Sequence, residues 1–387
     1  MKLALIRQRY NPFGGAERFV ERALRALADQ GVEITLITRS WQGAPLEKFR
    51  QIICDPSYSR LRGGRAARDR SFCTAVQALM AQEKFDLVQA HERIPGCSIF
   101  RAGDGVHAAW LNHRAKSLGW AGRLAQTLSP FHRAVLSAEQ ALFEHPALRT
   151  VICNSRMVAE EIQTFYGLPA DKLTLIYNGV DHEAFHPRLA DSHRETLRAA
   201  HGIPATAPLF LFVGSGFERK GVPRLLQAFA HLPEKSARLV IVGADRKLKA
   251  MRALAQKLAI ADRVLFTGPL QDVKPWYGAA DAFVLPTLYD PCPNAALEAL
   301  ACGLPSLVSR TCGAAEFITP GQNGWICNAL DPEQIATQMA AMVDWTNQAG
   351  PRQAACAAVA HLTLPAMAEQ LQQLYRTLLD SGKAAST

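Results

Sequence analysis

Apolar and polar positions alternate along the chain in two repeating patterns. Short apolar runs, such as residues 2–7 and 209–213, are typical of buried strands, and stretches with apolar residues at helical spacing follow them. Because strands and helices alternate in both halves, the pattern predicts an α/β fold with parallel, doubly wound sheets. A proline at 187 and the polar run that follows place the domain boundary between residues 1–185 and 186–365.

Composition limits the classes of protein to which this chain could belong. The chain has 387 residues, of which 49% are hydrophobic and 20% charged, and it contains no apolar run near the ~20 residues of a membrane span. It opens directly on a strand pattern, so we expect no signal peptide. Nine scattered cysteines predict reduced thiols and a cytoplasmic location. The net charge is +9, mainly from residues 1–185, which indicates an anionic partner: a phosphorylated acceptor, a membrane surface or nucleic acid.

The stretch from 288 to 305 carries the first candidate site. The apolar run 282–285 ends at a proline, a polar loop follows, and a short helix is predicted over 295–301. The N-terminus of such a helix favours an anionic ligand such as phosphate. Asp290 and Glu298 flank this turn and are suited to accept hydrogen bonds from hydroxyls, which predicts a nucleotide-sugar site. The alternative is an ordinary α/β loop with two surface acids.

A second candidate site follows the run 209–213. The loop Gly214-Ser215-Gly216-Phe217-Glu218-Arg219-Lys220-Gly221 combines small residues with two permanent positive charges. Fixed cations at the end of a strand are suited to bind an anionic ligand. The alternative is that Arg219 and Lys220 are solvated surface residues.

These motifs resemble those of the retaining GT-B glycosyltransferases. Asp290 and Glu298 match the E-x7-E signature, with Asp290 in place of the first Glu and Pro291-Cys292-Pro293 in place of the usual Gly-Phe-Gly. Arg219-Lys220 matches the Arg/Lys element, and Asn11-Pro12-Phe13-Gly14-Gly15 matches the loop after the first strand. The resemblance covers essentially the whole chain. It implies two Rossmann-like domains facing across a cleft, with helix 366–382 crossing back onto the first domain.

The resemblance also implies roles for individual residues. Asp290 would contact donor-sugar hydroxyls, Glu298 the ribose, and Arg219 with Lys220 the diphosphate. The implied donor-binding residues are Gly14, Gly15, Arg219, Lys220, Leu270, Asp290, Asn294, Ala295 and Glu298. Read alone, Gly14-Gly15 is equally compatible with a simple turn, and the absence of G-x-G-x-x-G there argues against an NAD site.

Three features of the first half are less specific. Asp104, between two glycines, resembles the family loop that reaches the reacting sugar. We predict that Asp104 is catalytic together with Arg219, Lys220 and Asp290, and His107 is the next candidate in this loop. The alternative is that Asp104 only forms a turn. His91, at the end of a predicted strand, either faces the ligand or is structural. The basic patch 60–70 is either solvated or a contact for an acidic acceptor.

Residues 105–138 contain no acidic side chain but include four basic residues, Arg114, Lys116, Arg123 and Arg133, and two tryptophans, Trp110 and Trp120. Cationic side chains with tryptophans are what binding at a membrane interface requires. We therefore expect peripheral contact with the anionic inner leaflet. The alternative is an internal helix pair that packs its tryptophans in the core.

Taken with the resemblance, the sequence predicts a transferase that retains the anomeric configuration and takes its hexose, glucose, from a UDP-sugar. The predicted acceptor is the lipid-linked heptose in the inner core of lipopolysaccharide. No D-x-D occurs, so we expect no metal ion and no cofactor beyond the sugar nucleotide. The alternatives are a transferase for another bacterial surface glycan or glycolipid, a UDP-sugar epimerase, or a nucleic-acid binder. The last lacks an aromatic-interleaved basic stripe, so we predict no nucleic-acid partner.

Overall fold

A computed structural model describes residues 2–10, 28, 31–41, 49–59, 64–345 and 348–384. The chain divides into two compact units, Met1–Gly179 together with Leu364–Thr387 (unit 1), and Val180–Thr363 (unit 2). The division falls between Gly179 and Val180, whereas the sequence analysis placed it after residue 185. Each unit has its own parallel sheet.

Unit 1 is built on a sheet whose neighbouring strands are all parallel. Within the described residues its seven strands have the order β3-β2-β1-β4-β5-β6-β7. The strands are β1 (Lys2–Tyr10), β2 (Glu33–Trp41), β3 (Arg50–Ile53), β4 (Leu87–Ala90), β5 (Ile99–Arg101), β6 (Thr150–Cys153) and β7 (Leu173–Leu175). The helices are α1 (Gly64–Gln82), α2 (His107–Lys116), α3 (Trp120–Leu128), α4 (Pro130–Phe143) and α5 (Arg156–Tyr166).

The last helix of the chain, α13 (Leu364–Ala384), belongs to unit 1. Its buried residues Met367, Leu371 and Tyr375 recur every four positions, so they lie on one face and join the core that contains Leu3 of β1. The Tyr375 hydroxyl donates to the Gln89 side chain at 2.6 Å, which pairs two buried polar groups. Unit 1 therefore gains part of its core from the last segment of the chain.

Unit 2 repeats the same architecture. Its six described strands are all parallel, in the order β10-β9-β8-β11-β12-β13. They are β8 (Leu209–Val213), β9 (Arg238–Val242), β10 (Val264–Gly268), β11 (Ala282–Leu285), β12 (Ser306–Ser309) and β13 (Gly324–Cys327). The helices are α6 (Leu189–Ala200), α7 (Val222–His231), α8 (Leu248–Lys257), α9 (Lys274–Ala279), α10 (Asn294–Ala301), α11 (Pro332–Val343) and α12 (Ala349–Val359).

In both sheets the strand order reverses beside the first strand of the unit. This switch point lies between β1 and β4 in unit 1, and between β8 and β11 in unit 2. Loops that leave the carboxyl ends of strands at a switch point diverge to opposite faces, which opens a crevice for a ligand. Among the described helices, none combines the length and the apolar character that crossing a bilayer would need.

Candidate active site

The loop of residues 214–221 leaves β8 at the switch point of unit 2, and its glycines are required by the local geometry. Gly214 has φ +156°, and a Cβ there would lie 2.7 Å from Cδ of Lys220. Gly221 has φ +81°, and a Cβ there would lie 1.9 Å from the carbonyl oxygen of Pro286. The absence of side chains therefore lets the Lys220 stem cross the backbone and lets the loop pack against the end of β11.

Three of the predicted catalytic residues meet at this point. Nζ of Lys220 lies 2.9 Å from Oδ2 of Asp290, and Nη1 of Arg219 lies 3.4 Å from the same oxygen. Nη1 of Arg219 also donates to the carbonyl of Tyr289 at 2.8 Å. Asp290 is buried, and the Lys220 side chain is only 12% exposed. The sequence analysis did not foresee that Asp290 would pair directly with both cations.

Backbone contacts hold the cationic loop in place. The carbonyl of Arg219 accepts hydrogen bonds from the Leu288 amide at 2.8 Å and from the Thr287 hydroxyl at 3.1 Å. On the other side, the Phe217 amide donates to Oδ2 of Asp245 at 2.9 Å. The sequence analysis missed Asp245, although an acid just after the glycine that ends the strand at 238–242 was a usable signal. These bonds fix the loop between the ends of three strands.

Glu298, the second acid of the signature, lies on α10 and does not pair with Asp290. The Tyr277 hydroxyl lies 3.0 Å from Oε2 of Glu298 and 3.2 Å from the carbonyl oxygen of Ala295. Although part of the residue is exposed, burial of the carboxyl raises the pKa of Glu298 to about 7, and the hydrogen bond from Tyr277 opposes that rise. The helix starts at Asn294, so Asn294 and Ala295 form its first turn.

The remaining donor-binding predictions fall in different places. Leu270 follows β10 and is 39% exposed, and the neighbouring carbonyl of Gly268 accepts from the Gly243 amide at 2.9 Å. Gly14 and Gly15 lie outside the described residues. Within the ranges that the structure describes, no group of three or more His, Cys, Asp and Glu side chains is arranged to hold a metal ion.

At the switch point of unit 1, charges of both signs lie near the strand ends. Asp104 is exposed in the loop after β5, and it makes no hydrogen bond to any described residue. Behind it, Oε1 of Glu92 accepts from the Gln8 amide at 2.7 Å. Burial is the main cause that raises the pKa of Glu92 to about 7, and the negative charge of Asp104 adds to the rise. Glu92 is therefore partly protonated near neutral pH.

The structure favours a structural role for His91. Its ring nitrogens lie 3.2 Å from the Gln89 side chain and 3.5 Å from Nη1 of Arg7. Burial, followed by the positive charges of Arg7 and Arg101, lowers the pKa of His91 well below its usual value. The ring is therefore neutral at physiological pH and part of a buried polar network.

Glu139 organises the neighbouring region, and the sequence analysis missed it. This buried carboxylate accepts from Arg93 Nη2 at 2.6 Å, from the His107 amide at 2.8 Å and from the Tyr166 hydroxyl at 2.6 Å. It is the first acid after the acid-free stretch 105–138, and that position was an available signal. The pair with Arg93 fixes the start of α2, which carries His107.

His107, the second candidate in this loop, is part of a chain of rings. Arg114 Nη1 lies 3.2 Å from Nε2 of His132, and Nδ1 of His132 lies 3.0 Å from Nε2 of His107. Because Arg only donates, His132 must donate onward through Nδ1, which leaves the proton of neutral His107 on its Nδ1. Burial is the main cause that lowers the pKa of His107 to about 4, so this neutral form dominates at pH 7.

Helix α3 turns its apolar side chains outward. Trp120 is 82% exposed, and Leu124 and Leu128 are also exposed. They are spaced four residues apart on a helix without a buried residue, so they form one apolar face. The core-packing alternative is therefore wrong for Trp120. Trp110 is partly buried.

The basic patch is only partly described, because residues 60–63 lie outside the described ranges. The guanidinium of Arg65 lies over the ring of Phe131 at 5.2 Å from the ring centroid, and Arg68 pairs with Asp69 at 2.9 Å. The first contact joins α1 to α4, and the second pairs two neighbouring residues within α1, so the patch is not a uniform cationic surface.

Two family models match consecutive parts of the chain. Residues 13–184 match Glycosyltransferase Family 4, and residues 193–352 match Glycosyl transferases group 1. The two matches coincide with the two sheets, and the second includes Arg219, Lys220, Asp290 and Glu298. The chain is therefore a glycosyltransferase and belongs to the GT-B class that combines these two domains.

Individual relatives show which glycosyltransferases this chain is similar to. The lipopolysaccharide glucosyltransferase WaaG of Escherichia coli K12 is 29% identical over 340 residues, which are 87% of either chain. A crystal structure of WaaG, a glycosyltransferase involved in lipopolysaccharide biosynthesis, matches at 25% identity with a TM-score of 0.80, over 96% of this chain and 99% of that one.

Two further proteins show how broad the likeness is. The D-inositol 3-phosphate glycosyltransferase 2 of Catenulispora acidiphila is 28% identical over 86% of this chain and 82% of that protein. The structure of Anabaena HepE in complex with UDP-glucose matches with a TM-score of 0.71, over 97% of this chain and 100% of that one. At 19% identity that likeness shows the fold alone.

Proposed function

We propose that this enzyme transfers glucose from UDP-glucose to the heptose of a lipopolysaccharide inner core, with retention of configuration and without a metal ion. The observation that carries the proposal is the pair of cations, Arg219 and Lys220, held at the switch point of unit 2. They supply at the diphosphate the positive charge that a metal ion would otherwise provide.

In this proposal the donor is held mainly by unit 2. Arg219, Lys220 and the first turn of α10 bind the diphosphate, and Glu298 accepts the ribose hydroxyls. Asp290 accepts a hydroxyl of the sugar. The WaaG relative, which acts as a glucosyltransferase, supports glucose as the transferred sugar, and the fold shared with the UDP-glucose complex of HepE is compatible with a uridine donor.

Retention follows in this proposal from attack on the same face as bond cleavage. The bond between the anomeric carbon and the β-phosphate oxygen breaks, and the bond to the acceptor oxygen forms on the side that the phosphate leaves. The leaving phosphate oxygen takes the proton of the acceptor hydroxyl, so the released nucleoside diphosphate carries it. Lys220 and Arg219 stabilise the charge that grows on the phosphate. In unit 1 the proposed catalytic residue is Asp104, with His107 as the next candidate.

The acceptor distinguishes the main proposal from its alternatives. The D-inositol 3-phosphate glycosyltransferase relative favours a small phosphorylated polyol as the second candidate acceptor. A decisive test supplies purified enzyme with UDP-glucose and either heptose-terminated lipopolysaccharide core or D-inositol 3-phosphate. We expect transfer to the lipopolysaccharide core only, at a rate that EDTA does not change. NMR of the product should show that the glucose keeps its α-linkage. Release of a free isomer of the UDP-sugar without acceptor would instead indicate an epimerase.

We further propose that the enzyme works in the cytoplasm, bound to the inner face of the cell membrane through α3. The exposed face formed by Trp120, Leu124 and Leu128 carries the apolar contact, and nearby basic residues attract anionic lipids. Flotation with vesicles of phosphatidylglycerol and phosphatidylethanolamine tests this. The enzyme should float with these vesicles, and neutralising Arg114, Lys116, Arg123 and Arg133 together should release it. No flotation, or flotation unchanged by the four substitutions, contradicts membrane contact.

A further inference from the structure

The carboxylate of Asp290 occupies a position that suits an anionic ligand. Its Oδ2 lies 2.9 Å from Nζ of Lys220 and 3.4 Å from Nη1 of Arg219, so one oxygen faces both cations. The side-chain exposures are 10% for Asp290 and 12% for Lys220. A buried cation without a counter-charge is costly, and the Asp290 carboxylate supplies that charge when no donor is bound.

The backbone on both sides of Asp290 keeps the carboxylate at this place. The Asp290 amide donates to the carbonyl of Thr311 at 3.1 Å, and the Asp290 carbonyl accepts from the Gly313 amide at 2.9 Å. With its backbone fixed, Asp290 can leave the cations only by rotation of its side-chain torsions. The Lys220 stem is confined because it crosses Gly214, so the carboxylate is the partner that moves in an exchange.

We propose that Asp290 is an exchangeable counter-ion of the diphosphate site. In the free enzyme it pairs with Lys220 and Arg219, and a bound nucleoside diphosphate displaces it from Lys220. The carboxylate released in this way is then free to accept a hydroxyl of the donor sugar. The inference rests on the proposed function, because it assumes that the two cations bind a diphosphate.

This exchange has a consequence for the product. Because Asp290 and the diphosphate compete for the same Nζ, the carboxylate weakens the binding of every nucleoside diphosphate. UDP-glucose regains part of the lost binding free energy through the hydrogen bond between its sugar and the released carboxylate. The product UDP has no sugar and regains none of it. Asp290 thereby favours binding of UDP-glucose over binding of UDP and promotes product release.

Calorimetric titration of UDP tests the exchange. Asp290→Asn keeps the size of the side chain but removes the competing charge, so UDP should bind about tenfold more tightly, equivalent to about 1.4 kcal/mol. Glu218→Gln is the matched control, because Glu218 lies beside Arg219 in sequence but pairs with Lys247 at 2.5 Å. That variant should leave the Kd of UDP unchanged within about twofold. Equal tightening in both variants would indicate a general charge effect and overturn the proposal, as would unchanged or weaker UDP binding by Asp290→Asn.

A second measurement uses the unmodified protein and so does not depend on folding of the variant. In a crystal structure with UDP bound, Oδ2 of Asp290 should lie beyond about 4 Å, the limit of an ion pair, from Nζ of Lys220. Persistence of the present contact with UDP in place overturns the exchange but leaves the proposed function intact. If UDP, ADP and GDP all fail to bind the unmodified protein, the proposed function and the exchange fall together.

Discussion

The two units share the order of six strands but place different chemistry at their switch points. Unit 2 holds two permanent cations, Arg219 and Lys220, on a loop that only glycines allow. Unit 1 holds charges of both signs, among them Arg7 and Glu92, and a histidine kept neutral. The comparison teaches that the fold decides where a ligand binds, whereas the loops at the strand ends decide which charge it meets.

The largest effect is expected in unit 1, on stability. Glu139→Ala leaves Arg93 buried without its partner, which should lower the free energy of unfolding of unit 1 by about 3–5 kcal/mol. Hydrogen exchange measured separately for the two units would show the loss in unit 1 and little change in unit 2. Glu144→Ala, at the exposed end of the same helix, is the control and should change stability by no more than about 0.5 kcal/mol. Equal stability of both variants would show that Glu139 does not anchor α2.

The next effect concerns catalysis in unit 2. Lys220→Ala removes a charge-assisted hydrogen bond worth about 1.5–3 kcal/mol, so transfer should fall about tenfold to a hundredfold. Asp290→Ala should reduce transfer similarly, because the donor sugar loses the carboxylate that accepts a hydrogen bond from its hydroxyl. Rates of UDP release with saturating acceptor measure both, with circular dichroism as the check on folding. Lys247→Ala, which removes an exposed lysine near the same loop, should keep normal activity. Full activity of the first two variants would refute the site.

Glu298 and Glu92, two partly buried acids whose pKa values are about 7, sharpen the comparison through pH. In the folded protein the pKa of Glu298 is about 7 instead of 4.5, so the folded state keeps a proton that the unfolded state loses between these values. Stability of unit 2 should therefore fall as pH rises from about 4.5 to 7, by on the order of 1–3 kcal/mol. Glu298→Gln should remove the pH dependence of the stability of unit 2. Glu92→Gln should remove the corresponding pH dependence of the stability of unit 1. Hydrogen exchange between pH 5 and 8 measures both. A dependence that persists in unit 2 of Glu298→Gln would assign it to another group.

The smallest effect is expected at Lys116, the exposed last residue of α2, which lies just before α3 in the chain. Lys116→Gln should weaken binding to anionic vesicles about fivefold, since a basic residue near the membrane contributes about 1 kcal/mol. Lys84→Gln, an exposed lysine just before β4, is the control and should bind vesicles as the unmodified protein does. Equal losses in the two variants would point to net charge alone, rather than α3, as the cause of binding.

Much of this protein could be predicted from local sequence patterns. Apolar runs and helical spacing predicted two parallel sheets, because strand and helix periodicities depend on neighbouring residues only. The Arg219-Lys220 loop was recognisable because a glycine-rich turn after a buried strand carries its chemistry in consecutive residues. Asp245 and Glu139 were not recognised as important, because each acts on groups distant in sequence, the Phe217 amide and the Arg93 guanidinium.

The sequence by itself determined the fold class and the charge carried by the loop after β8. The tertiary structure alone decided that Asp290 pairs with both cations of that loop, that Glu298 lies apart beside Tyr277, and that Trp120 faces outward. The reason is physical: periodicity records which residues avoid water, whereas an ion pair or an exposed face depends on how distant segments are brought together.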